Sequence, residues 1–286
     1  MKGTGKSVKK GKRDSDLKEN IVFNIQSIIM SVLMAITLVT IVTMGFLLYQ
    51  RFKRAIDKMA VSNTEATVES TVDRVNSDLL DIRQIFNAAN YNIVQEFDIS
   101  SGKFAEQFSL LYEVNSDKIE SLALYGNEGR LIASEPVAVE KENIDVKGQD
   151  WYKNAESAIE NVHFSVPHIQ NLYEDGLYRY HWVVSLSRYV DINDGEIPES
   201  GVLLVDMKYS VIEDVLKQIN DSSEGIYYYM ISRDGQMIYH PRKTEMARGL
   251  FEENSLKASG YEEGTYEITT DGHKESVVVG NIAYTG

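Results

Sequence analysis

Ile119–Val137, IESLALYGNEGRLIASEPV, is the stretch on which the fold turns. Ile119 to Tyr125 has the apolar, β-favouring character of a half-buried strand. Gly126-Asn127-Glu128-Gly129 is turn chemistry, and Arg130 to Ser134 supplies a partner strand. Before Lys118 the pattern is helical. Val61, Val68, Val72, Val75, Leu79, Ile82, Phe86, Ala89 and Ile93 run without Gly or Pro, spaced by fours and threes from Val68 onward. One apolar stripe of this kind serves equally to pack a helix on its own domain or to form a dimer seam.

Upstream of that helix, Ile21 to Gln50 carries no charge, and Ile28 to Tyr49 is almost wholly apolar. At about 1.5 Å per residue such a run spans a hydrocarbon core of roughly 30 Å. Seven basic residues precede it, which predicts an N-terminus in the cytoplasm and an extracytoplasmic remainder from about residue 50. The run is too long for a signal peptide and lacks a small-residue cleavage site, so an uncleaved anchor in the cell membrane is expected.

Downstream, Trp151 to Ile159 reads as helix, and His163 to Gln170, Tyr178 to Val190 and Gly201 to Tyr209 read as strands. Asp191 to Glu199 has the composition of a solvated loop. Ser210, with Glu213 three residues on, predicts a capping box at the head of a helix to Asn220. Ile226 to Arg233 and Gln236 to His240 flank Asp234-Gly235, a strong hairpin signal. A short helix over Thr244 to Leu256 and strands over Gly264 to Thr270 and Lys274 to Tyr284 complete the pattern. The expectation is an α+β protein with tandem antiparallel modules on a long helix.

The 286 residues include no cysteine, which excludes disulfides, thiolate metal sites and cysteine nucleophiles. Eleven of the 29 basic and four of the 43 acidic residues lie at or before Lys58, so the rest of the chain carries a net charge of −21. A surface of that sign repels nucleic acid. Neither a Gly-rich phosphate loop nor Gly-x-Ser-x-Gly is present, and no catalytic constellation or cofactor motif emerges. The five histidines, His163, His168, His181, His240 and His273, form no ligand pair of H-E-x-x-H type. His163 and His168, five apart in one strand, are predicted to face opposite sides. No metal site is expected.

The informative cluster is Trp151, Tyr152, His168, Gln170, Tyr180, Trp182 and Asp206. Aromatic walls with a few convergent polar groups suit a small ligand. In Gly201-Val-Leu-Leu-Val-Asp206 a carboxylate ends an otherwise apolar strand, and an ionised group there needs a partner, which a ligand cation provides. No comparable cluster is evident beyond residue 220.

DWYKNA (150–155), HFSVPHIQNLY (163–173), YRYHWVVSLSRYV (178–190), GVLLVDMKYSVIEDV (201–215), YYYMISRDGQMIYHP (227–241) and the stretch from Gly260 to Gly286 follow IESLALYGNEGRLIASEPV in order. Together they resemble the double-Cache (dCache) extracytoplasmic sensor domain. The resemblance implies a basic tail (1–20), a transmembrane helix (21–50), a stalk helix (51–97), a membrane-distal Cache module (98–220) and a truncated membrane-proximal one (221–286). More narrowly, the middle motifs are similar to the sensor half of YesM-like Cache histidine kinases. That likeness implies a homodimer with its kinase half, and hence its response regulator, beyond this chain. A chemoreceptor or cyclic-dinucleotide enzyme is the alternative output, and a surface-anchored binding protein the alternative class. The partner sensed is a small molecule or a ligand-loaded binding protein. Amino-acid-binding members of the family place an Arg two residues before the Trp, with a Tyr and two Asp around the amine. Here Gln149 takes the Arg position, His168 the Tyr and Gln170 one Asp, while Trp151 and Asp206 are retained. A neutral amide cannot form the bidentate charged pair with a carboxylate, so a ligand other than a standard α-amino acid is expected.

Overall fold

The computed structural model describes residues 7–157, 161–174, 179–194, 197–223, 225–270 and 273–283. It divides into two compact units, Met1–Thr64 and Glu65–Gly286. Helix α1, Ser7–Asn87, is continuous and contributes to both. In the first unit its apolar run from Ile25 to Tyr49 is exposed along its whole length. Among the described residues it is the one helix long and apolar enough to cross a membrane.

In the second unit the chain continues through a π-helical turn, Ala88–Val94, and a helix α2, Gly102–Val114. The side chain of Ser101 caps α2 by accepting from the Phe104 amide. This helix is absent from the sequence reading, although Ser101 followed by Phe104, Phe108 and Leu111 gives both its cap and its stripe.

The central sheet is antiparallel. Its strands are β1 (Ile119–Gly126), β2 (Leu131–Glu135), β3 (His163–Phe164), β4 (His168–Ile169), β5 (Trp182–Asp194) and β6 (Ile197–Lys208), ordered β2-β1-β6-β5-β3, with β4 also on β5. The predicted loop at Asp191 to Glu199 is instead the far end of the β5–β6 ladder, where Asp191 pairs with Ser200 and Ile192 with Glu199. Asp191 is exposed between the buried Val190 and Ile192, while Glu199, opposite Ile192, shares that residue's face, so acidic side chains stand on both faces of the hairpin end. The predicted strand from His163 to Gln170 is two short strands broken at Ser165-Val166-Pro167. His163 pairs with Ser187 and His168 with Val183, which puts both histidines on the same face of the sheet, contrary to the single-strand parity.

One face of the sheet presents Leu122, Leu124, Val184, Leu186, Leu203, Val205 and Met207 to Val75, Leu79, Ile82, Phe86, Ala89 and Ile93 of α1 and the π-turn, and to Phe104 and Phe108 of α2. From Val75 to Ile93 the heptad-like stripe is therefore buried in the core of its own chain and does not form a dimer seam. The other face presents Ala123, Tyr125, Val202 and Leu204 to α3 (Asp150–Ser157) through Trp151, Tyr152 and Ala155, and to Leu172 and Tyr173.

Helix α4, Ser210–Asp221, follows β6 directly. Its N-cap is Tyr209, with no side-chain cap bond. The predicted capping box therefore fails, because Ser210 is already helical. Two small hairpins follow, β7 (Met230–Ile231) with β8 (Met237–Tyr239) and β9 (Gly264–Thr270) with β10 (His273–Val279). Between them the helix predicted over Thr244 to Leu256 is split into α5 (Lys243–Ala247) and α6 (Ser255–Ala258). Tyr178, the first residue of one predicted strand, and Tyr284, the last of another, lie outside the described residues.

Candidate functional site

Asp206 is 1% exposed and stands between two serines fixed by register, since Ser121 of β1 and Ser185 of β5 are both its direct cross-strand partners. Residues opposite one another in antiparallel strands project to the same face. Both hydroxyls accordingly donate to the carboxylate, Ser121 Oγ to Oδ2 at 2.8 Å and Ser185 Oγ to Oδ1 at 2.5 Å. Burial pushes the Asp206 carboxyl well above its ordinary range, and the two serine hydrogen bonds and His168 oppose that shift.

His168 reaches the same relay. Its Nε2 lies 3.3 Å from Ser185 Oγ, and its Nδ1 lies 3.0 Å from the Val166 carbonyl. Ser165 Oγ, which donates to the Val166 carbonyl at 2.9 Å, also lies 3.2 Å from Nδ1, so a serine flanks each ring nitrogen of His168.

Trp151, on the first turn of α3, is held over this face by a bond from Ser187 Oγ to its carbonyl at 2.7 Å. Its ring stacks at a tilt 5.3 Å from that of Tyr125. The Tyr125 and Tyr173 hydroxyls meet at 3.2 Å. Burial, foremost, pushes both phenols up, and Asp206 and Glu140 add to the shift at each. Tyr173 is tied by an isolated antiparallel bridge to Glu140, whose Oε1 is buried and has no hydrogen-bond partner among the described residues. Gln170 Oε1 accepts from the Tyr173 amide at 3.5 Å, helping to set that turn.

Four candidates are placed differently. Tyr152 is completely buried and donates to the Gly126 and Asn127 carbonyls, so it is a core residue locking the β1–β2 turn. Its ring packs edge-on against that of Trp151, with the centroids 5.6 Å apart. Trp182 is 51% exposed and packs against Tyr209 at 6.3 Å. It shares parity with Val184 and Leu186, on the α1 face of the sheet and opposite Asp206. Tyr180 is 79% exposed. Gln149 lies at the exposed entrance to α3, its amide donating to the Asp145 carbonyl at 3.5 Å. Ser121, Ser185, Tyr125 and Tyr173 join the candidate cluster and are absent from the sequence reading.

The C-terminal part of the unit also holds a cluster that the sequence reading denied. His240 is 1% exposed, and the rings of Tyr227, Tyr229 and Phe251 surround it at 5.3 to 5.6 Å. Its Nδ1 accepts from the Arg242 amide at 3.0 Å, and its Nε2 stands 3.7 Å from Glu253 Oε2. Burial, the largest influence, holds the imidazole below its ordinary range, while Glu253 pulls the other way. Among the described residues no group of three His, Asp or Glu side chains is arranged to hold a metal ion. The side chain of His273 lies outside the described residues.

The chain belongs to the Cache domain family dCache_1, which it matches over residues 47–286. It is 23% identical over 258 residues to the methyl-accepting chemotaxis protein TlpB of Bacillus subtilis, a match covering 88% of this chain and 36% of TlpB. Its fold is similar to that of the ligand-binding domain of the amino acid chemoreceptor PctC of Pseudomonas aeruginosa PAO1 in complex with GABA. That match has a TM-score of 0.55 and 18% identity, and covers 72% of this chain and 87% of that one. It is also similar to the domain of the chemoreceptor CtaA of Pseudomonas fluorescens with L-isoleucine, with a TM-score of 0.53 and 18% identity, covering 79% and 87%. The protein is thus an extracytoplasmic Cache sensor region of a receptor, behind an apolar helix of membrane-spanning length.

Proposed function

We propose that this sensor region serves a receptor with chemoreceptor-type output, and that its ligand is a small amine whose ammonium sits on Asp206 beneath Trp151. The observation that carries this reading is the carboxylate itself, enclosed in the sheet and met, among the described residues, by two hydroxyls. A buried anion with neutral donors is costly unless a cation completes it. Tyr125, Trp151 and Tyr173 offer ring faces that attract an ammonium. The output follows TlpB, a methyl-accepting protein of which this chain spans about a third. The kinase output implied by YesM-like proteins gains no support from these relatives. GABA and L-isoleucine, bound by the related domains, both carry an ammonium. In this reading the module over residues 98–220 is membrane-distal and holds the ligand, and 221–286 is the membrane-proximal module.

Thermal unfolding of the full chain in lipid nanodiscs tests the reading. At 100 times its dissociation constant a ligand adds about 2.7 kcal/mol. For a domain of this size each kcal/mol moves the midpoint by roughly 2 to 4 °C. Simple amines are expected to give that shift, and Asp206→Asn to remove it. Stabilisation by ordinary α-amino acids that survives Asp206→Asn defeats the proposal.

A further inference from the structure

Directly after the apolar run of α1 comes RFKRAIDK (51–58), with four basic residues and one acid, all exposed. Among the described residues, none of the four basic side chains forms an ion pair. Helical spacing sorts the segment into two stripes. Leu47, Arg51, Arg54 and Lys58 follow one another by four, three and four residues, so a line of cations continues one face of the apolar run. Phe52, Ile56 and Met59, all exposed, form an apolar stripe on a second face.

At about 1.5 Å per residue, Arg51 and Arg54 lie within about 8 Å of Tyr49, the end of the apolar run. The headgroup layer on one side of a bilayer is roughly 5 to 8 Å thick. Side chains on an α-helix tilt toward its N-terminus, which here is the membrane side, so these cations lean back toward the lipid phosphates. The long stem of Lys58 lets its ammonium do the same. Beyond Lys58 the chain carries a net charge of −21, which an anionic surface repels. The stripe is the part of the outer chain that such a surface attracts.

We propose that Arg51, Arg54 and Lys58 bind the phosphodiester headgroups of anionic lipids in the outer leaflet, with Phe52, Ile56 and Met59 seated among the lipids beside them. The occupant is a lipid because the stripe is in line with Leu47: an acyl chain lying along that face delivers its headgroup to Arg51. The proposal rests on α1 crossing the membrane with the sensor region outside, and is independent of what the sheet module binds.

The chain has no cysteine, so a single Leu47→Cys, at an exposed position in line with the stripe, can carry a bimane fluorophore in the full chain in nanodiscs. The discs hold equal parts of phosphatidylglycerol and phosphatidylcholine, with bromine on the acyl chains of one or the other. Brominated phosphatidylglycerol is expected to quench at least about twofold more than brominated phosphatidylcholine. Arg51→Gln/Arg54→Gln/Lys58→Gln, neutral and compatible with a helix, should bring the ratio to one. So should salt at about 1 M, where the screening length falls to about 3 Å. Equal quenching in the parent, or a preference that survives the triple substitution, overturns the proposal. A preference abolished by millimolar glycerophosphate assigns the stripe to a soluble anion and overturns it equally. If neither brominated lipid quenches, Leu47 lies outside the bilayer, and the crossing falls together with the proposal.

Discussion

At the scale of single residues, Asp206 sets function against stability. Its folded pKa is raised, so the folded state binds more protons than the unfolded one, and stability falls as pH rises from the ordinary carboxylate range through the folded value. Asp206→Asn removes that penalty while the carboxamide still accepts from one serine and donates to the other. Without ligand, the variant is expected to unfold at a higher temperature than the parent at pH 7.5, and the gap should close as pH is lowered toward 4. Calorimetric scans across that range check the sign, and a variant less stable at pH 7.5 contradicts it. His240 works in the opposite sense. Its folded pKa is lowered, so the stability it contributes is complete above its unfolded value near 6.5 and is lost as pH falls below it. His240→Phe, which keeps a ring in the aromatic cage, should flatten the loss of stability between pH 7 and 5. An unchanged slope in that variant assigns the acid sensitivity to other groups.

At the scale of elements, the approach of backbones is limited by two glycines. In Gly201 an added Cβ would lie 2.0 Å from the Tyr125 carbonyl oxygen, so the β1–β6 pairing admits no side chain there. After β10, an added Cβ at Gly280 would lie 2.7 Å from methyl groups of both Val68 and Val72. Valine side chains are stiff and cannot turn away. Gly280→Ala is expected to destabilise the chain by about 1 to 3 kcal/mol, and Val72→Ala in the same chain to recover part of it. Urea midpoints of the single and double variants measure both, and additive losses rule out the contact. This is also the scale at which the sequence reads best. β1, β6 and the stripe of α1 follow from periodicity, because each buries one continuous face. The β5–β6 extension escaped because a hairpin end rich in acidic residues has the composition of a loop, and the buried Val190 and Ile192 are too few to announce a strand. In the candidate site, Asp206 was legible as a charge closing an apolar strand, whereas Ser121 and Ser185 become its neighbours only through the register of strands distant in sequence. Trp182 was misplaced by parity, a property that composition does not carry.

At the scale of the whole molecule, the absence of cysteine makes orientation directly measurable. Asp117→Cys, at an exposed position, should react with a membrane-impermeant maleimide in intact cells. Ser15→Cys should react only after permeabilisation, and the reverse pattern would place the sensor region in the cytoplasm. The alternation along β6 has a mechanical meaning. Leu204 and Asp206 face the ligand side, whereas Leu203, Val205 and Met207 press on the stripe of α1. A single strand is therefore the whole thickness between stimulus and lever. β6 is clamped laterally by ladders to β1 and β5, like the rim of a diaphragm. In the proposed reading, a deflection at Asp206 reaches the helix through the sheet and not around it.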